Sequence, residues 1–194
     1  MPTFDLSAAL VVVDVQNDFA DPAGALAVPG GEAVVPVINE LVAAAREVGS
    51  LVVYTQDWHP ERTPHFVTDG GPWPPHCVQD TWGAALHPDL VVQGATVRKG
   101  ADGGDGYSGF SVRDAASGET TDTELDSLLH AHGVQRLVVA GLATDYCVLE
   151  TVLDARTRGY AVEVPADGVR PVDLEPGDGE RALERMRQAG ASVR

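Results

Sequence analysis

The sequence predicts an α/β protein, a three-layer α/β/α sandwich on a central, mainly parallel six-stranded sheet. Three observations carry this. Short, nearly continuous apolar runs rich in β-branched residues suit parallel strands buried on both faces. They alternate with stretches whose apolar positions recur at helical spacing, which is the order of a parallel sheet with helical crossovers. The length of 194 residues suits one domain, 1–194, with a substantial core.

Taken in order, Ala8-Ala9-Leu10-Val11-Val12-Val13 reads as a central strand that closes on a carboxylate, Asp14. A loop of turn formers leads to a helix over 34–48, stopped by Gly49. Leu51-Val52-Val53-Tyr54-Thr55 is a second strand, ending at Gln56-Asp57. The connection over 58–88 then changes character, gathering all three tryptophans and most of the histidines among prolines. Long ordered connections of this kind are commonly functional.

Val91-Val92 and Ala95-Thr96-Val97-Arg98 lead to Lys99 and a glycine-rich passage over 100–109, and a helix is expected over 123–132. Arg136-Leu137-Val138-Val139-Ala140 is another buried strand, followed by a sharp turn, Gly141-Leu142-Ala143-Thr144-Asp145-Tyr146-Cys147. Val148, Leu149, Val152 and Leu153 continue as a helix for which Thr144 is the expected N-cap. A strand over 160–164, a helix over 179–189 and an edge strand at 191–193 complete the chain.

The balance of 13 basic against 29 acidic residues, net −16, argues against a nucleic-acid or anionic-membrane surface, because such surfaces concentrate Lys and Arg. No apolar run approaches membrane-spanning length. Residues 1–5 lack the basic segment of an export signal, so reduced thiols at Cys77 and Cys147 and a cytoplasmic location are expected.

The C-terminal ends of parallel strands are where such sheets bind ligands. Asp14, Lys99 and Cys147 each close a strand or follow its turn, so topology gathers them at one edge. Cys147 at a helix start reads as a nucleophile, since the helix dipole favours thiolate; a buried core cysteine is the competing reading. Asp14 can take and return a proton, and Lys99 favours both anions. Taken singly, the two read better as a loop carboxylate and a surface charge; taken together with Cys147 they read as a reactive cluster. Asp57 and His59, one residue apart, face one side of an extended segment, and His65 and His76 follow. Carboxylate plus imidazole suits Zn, Mn or Fe, although a histidine-bearing loop without metal has the same spacing.

Several separated stretches, in order, carry a family resemblance: Val13-Asp14-Val15-Gln16-Asn17-Asp18-Phe19, Gln56-Asp57-Trp58-His59-Pro60, Trp73-Pro74-Pro75-His76-Cys77-Val78, Arg98-Lys99-Gly100, Tyr107-Ser108-Gly109-Phe110, and the turn through Cys147-Val148. The chain resembles the nicotinamidase/pyrazinamidase branch of the isochorismatase-like cysteine hydrolases. That resemblance implies a catalytic triad of Asp14, Lys99 and Cys147. It implies an oxyanion hole from the backbone amides of Ala143 and Cys147, with a cis Leu142-Ala143 bond. It further implies one divalent metal, zinc first with iron or manganese as alternatives, held by Asp57, His59 and His76. A histidine matching His65 serves some relatives, making it a candidate fourth ligand.

Phe19, Trp73 and Tyr107 look like the aromatic walls around a pyridine ring, with core packing as the alternative for each. The implied activity is hydrolysis of nicotinamide to nicotinate and ammonia through a Cys thioester, with pyrazinamide as a surrogate, in a homo-oligomer. The alternatives are a relative acting on an N-carbamoyl amine or isochorismate-like substrate, a non-catalytic ligand-binding relative, and a structural role for the oligomer. One departure from the family pattern is local: Asp80 and Trp82 stand where relatives commonly show Gly and Pro.

Overall fold

The computed structural model describes residues 2–114 and 117–194. Within them, six parallel strands lie side by side: β1 (Ala8–Val13), β2 (Leu51–Asp57), β3 (Ala95–Lys99), β6 (Arg136–Leu142), β7 (Ala161–Val164) and β9 (Ser192–Val193), in the order β3-β2-β1-β6-β7-β9. The seventh strand of the sheet, β8 (Val169–Arg170), pairs with the end of β6.

The first strand shows how the three layers arise. Every residue of β1 is buried, and side chains alternate across a strand. Ala8, Leu10 and Val12 therefore join the core on one face, and Ala9, Val11 and Val13 the core on the other. On the first face α2 (Val34–Glu47) buries Val34, Val35, Ile38, Leu41, Val42 and Ala45, one stripe at helical spacing. Opposite it, α3 (Leu125–Ala131), α4 (Leu149–Thr157) and α5 (Asp178–Gln188) contribute Leu125, Leu129, Leu149, Val152, Ala182 and Met186. Each Val, Leu, Ile or Met among these contributes roughly 1.5–3 kcal/mol on burial.

Beyond β1 the chain builds outward through β2 and β3, then returns to the other side of β1 as β6. The strand order thus switches direction between β1 and β6, and the crevice at the C-terminal ends of those strands is the natural ligand site. Gly141 sits at this point with φ 127°, and a Cβ there would collide with the carbonyl O of Val13. Gly141→Ala is expected to cost about 1–3 kcal/mol from the backbone conformation alone, read as a lowered urea midpoint.

The sequence reading and the structure differ in places. Thr120–Asp122 (β5) pairs with Ser111–Arg113 (β4) as an antiparallel hairpin that local patterning did not signal. Residues 123 and 124 precede α3 because the Thr123 hydroxyl donates to Gly109 O and accepts the Leu125 N–H. Val91 and Val92 are exposed and form no strand. Residues 17–20 form a one-turn helix, α1 (Asn17–Ala20).

The connection over 58–88 is pinned by polar side chains. The Gln16 amide donates to the carbonyls of Asp57 and Ala84 and accepts the Asp57 N–H. Asp18 accepts the N–H groups of Cys77 and Ala25. Both cysteines are free and buried. Among the described residues, no helix is long and apolar enough to cross a membrane.

Candidate active site

Cys147 lies in a wide π-helical turn, Thr144–Val148, that precedes α4. The Val148 N–H donates to Ala143 O across that turn. The expected cap is absent: the residue ahead of the turn is Ala143, in extended conformation, and no side chain caps it. The hydroxyl of Thr144 is buried without a partner.

Lys99 reaches the thiol from the end of β3, with Nζ 3.7 Å from Cys147 Sγ and 3.0 Å from Asp14 Oδ2. It also ion-pairs with Asp57, its register partner in β2. One oxygen each of Asp14 and Asp57 and the sulfur of Cys147 lie within 4.8 Å of one another. The Thr55 hydroxyl donates to Asp14 Oδ1 at 2.6 Å and fixes that carboxylate.

Burial sets the electrostatics. Lys99 is only 2% exposed. Desolvation opposes its charge, but Asp14, Asp57 and Cys147 outweigh that and hold its pKa well above the ordinary lysine value. Burial pushes the Asp14 carboxyl up, against the pull of Lys99. Asp57 goes the opposite way: burial raises it, but Lys99 and the neighbouring histidines hold it below the usual carboxylate range.

For Cys147, burial pushes the thiol well up, Lys99 pulls it down, and Asp14 and Asp57 push it up again. The helix start that was expected to favour thiolate is thus opposed by desolvation.

A second cluster adjoins the first. His59, His65 and His76 are buried, and one nitrogen from each lies within 4.8 Å of the others. Asp57 connects the two groups, with Oδ2 3.8 Å from His59 Nε2. His76 Nδ1 lies 2.7 Å from Pro74 O, an arrangement that leaves Nε2 free to ligate. Burial lowers the His76 pKa to about 4, keeping the neutral imidazole a metal requires. Both ring nitrogens of His59 are buried without a hydrogen-bond partner. Buried polar atoms are normally partnered, so the donor set fits a transition metal.

The pocket in front of Cys147 is lined by Phe19, Trp73, Tyr107, Ala143, Val172, Asp57, His65 and His76. Trp73 Nε1 donates to the Tyr107 hydroxyl at 3.0 Å. Tyr146 packs edge-on against both rings, at 5.2 and 5.3 Å. The Leu142–Ala143 peptide is cis. Asp80 and Trp82 do not line this pocket, and Trp82 is 54% exposed.

A larger groove of about 910 Å³ between β3 and the β4–β5 hairpin is edged by Asp102, Glu119, Asp122 and Glu124, and Cys147 is not among its lining residues. Sequence reasoning missed Thr55, Gln16, Tyr146 and Asp105. Of these, Gln16 and Tyr146 had a usable signal, because both lie inside motifs already singled out.

Fold and site together define a three-layer α/β hydrolase with a buried thiol at the switch point of a parallel sheet. Residues 8–194 match the isochorismatase domain, and the chain belongs to that family. It is 42% identical over 203 residues to the nicotinamidase of Escherichia coli K12, covering 95% of this chain and 93% of that one. The pyrazinamidase of Pyrococcus horikoshii, solved in complex with zinc, superposes with a TM-score of 0.85 at 40% identity, covering 97% and 98% of the two chains. PnC1 of L. infantum, in complex with nicotinate, gives 0.89 at 38% identity, covering 100% and 95%.

Proposed function

We propose that this chain hydrolyses nicotinamide to nicotinate and ammonia, with pyrazinamide as a second substrate. The observation that carries the reading is one pocket lined by the Cys147 thiol, by His65 and His76 of a buried histidine cluster, and by flat aromatic walls. The nicotinate complex of the L. infantum relative supports a pyridine ligand.

Asp14 takes the Cys147 proton as Sγ attacks the carboxamide carbon. The backbone N–H groups of Ala143 and Cys147 hold the oxyanion, and Lys99 balances the charge on the Asp14 carboxylate. Asp14 then returns the proton to the departing nitrogen, and ammonia leaves with the Cys147 thioester in place. A water deprotonated by Asp14 adds to that thioester, and its collapse to nicotinate restores the thiol. Phe19, Trp73 and Tyr107 enclose the ring and exclude water.

Asp57, His59 and His76, with His65 as the fourth donor, would hold one divalent transition metal. Zinc is the first choice, iron or manganese also suit the donors, and the bound ion supplies a Lewis acid for the ring nitrogen. The same reading places the protein in the cytoplasm as a homo-oligomer, with no nucleic-acid or membrane partner. The net charge of −16 is in keeping with that.

Ammonia release from nicotinamide, measured before and after chelation, tests the proposal. Metal removal is expected to lower turnover roughly 100-fold or more, with recovery on adding zinc. Undiminished turnover by the metal-free protein, or faster ammonia release from an N-carbamoyl amine, would overturn it.

A further inference from the structure

We propose that Asp105 is a positioning residue for the metal centre, its carboxylate holding the His65 ring by close contact at Nδ1 so that Nε2 is left for the ion. This rests on the metal site of the proposed function and deepens it.

Asp105 Oδ1 lies 2.7 Å from His65 Nδ1, close enough to pair although the ring N–H is not aligned on the oxygen, and the His65 side chain is buried while that of Asp105 is 48% exposed. An imidazole hydrogen-bonded to a carboxylate through one nitrogen is locked in a single tautomer and is a more basic ligand through the other. His65 stacks on His59, with ring centroids 4.7 Å apart, so its orientation also bears on the neighbouring donor.

The backbone holds Asp105 firmly in place. Its N–H donates to Arg113 O at 2.6 Å, the Arg113 N–H donates back at 2.5 Å, and the Gly106 N–H donates to its Oδ1 at 2.8 Å. The hairpin strand β4 therefore serves as the anchor for this carboxylate.

The glycine-rich passage ahead of it gains a purpose. Gly100 and Gly103 have φ of 80° and 81°, and a Cβ on Gly100 would lie 2.9 Å from His59 Cε1 and Nδ1. Only glycine lets the chain turn this tightly around the histidines and deliver Asp105 to His65. Tyr107, two residues on, lines the substrate pocket. One short segment thus connects a metal donor to the ring wall.

The test compares the full-length chain with Asp105→Asn and Asp105→Ala. Zinc affinity is read by competition with a chromophoric chelator, and the histidine ring nitrogens by NMR. Asp105→Ala is expected to weaken zinc binding about 10- to 100-fold. Asp105→Asn, which keeps an acceptor but no charge, should fall between it and the parent.

The His65 Nδ1–H signal should be present in the parent and absent from Asp105→Ala. A purely structural role would lower the melting temperature without changing the affinity of the folded protein. Should Asp105→Ala not fold, the near-isosteric Asp105→Asn carries the comparison. Zinc affinity in the folded variants within twofold of a parent that binds one ion overturns the inference. A parent that binds no stoichiometric zinc overturns the metal reading itself, and this inference with it.

Discussion

Cys147→Ala is expected to abolish ammonia release from nicotinamide while the protein keeps its fold. The thiol sits within 4.8 Å of carboxylate oxygens of both Asp14 and Asp57, and 3.7 Å from Lys99 Nζ, and no other described cysteine lines the pocket. Cys77 is buried and is not among the residues lining the pocket, so it offers no substitute nucleophile. Removing a nucleophile that acts as one unit with its base costs about 10⁵- to 10⁶-fold in turnover. The change deletes a single buried sulfur, at a stability cost of about 1 kcal/mol. Unchanged circular dichroism, retained nicotinate binding and loss of ammonia release are the expected set. Activity above one hundredth of the parent would sink the thioester mechanism.

Lys99→Met is expected to have the largest effect on stability. Lys99 is the cation between two buried carboxylates, Asp14 and Asp57. Removing it leaves like charges close together without a partner, and breaking a buried pair in this way costs about 3–5 kcal/mol. In the parent, Lys99 helps hold the Asp57 pKa down despite burial. Without the cation, burial raises both carboxyls in the folded state above an unfolded value of about 3.9. The folded variant then binds protons that the unfolded chain releases, so its deficit is greatest near neutrality and narrows as pH falls toward 4. Urea denaturation in the presence of chelator, at neutral pH and near pH 5, measures this. A deficit that widens on acidification would contradict the assignment of Lys99 as the partner of both carboxylates.

Legibility in the sequence followed the physics of each feature. The β1 run and the helical stripe of α2 were readable because a continuous apolar run and period-3.6 burial are local patterns. Asp14 was readable because it closes an otherwise apolar strand, and Lys99 because it ends the strand-like run that follows the long connection. The β4–β5 hairpin was not, since Thr120-Thr121-Asp122 is exposed and polar, and its pairing rests on a register partner. Thr55 was hidden for a related reason. It continues a strand pattern, and only the packing of β2 beside β1 brings its hydroxyl to Asp14. Asp105 was one carboxylate in a glycine-rich passage until the backbone placed it against His65.

By itself the sequence determined the α/β class, the order of strands and helices, and the reactive residues at the strand ends, all encoded in neighbouring side chains. Tertiary structure alone decided the desolvation of Cys147, the sharing of Lys99 between Asp14 and Asp57, and the approach of Asp105 to His65. Each depends on desolvation and on distances between segments remote in sequence, quantities that exist only once the chain has packed.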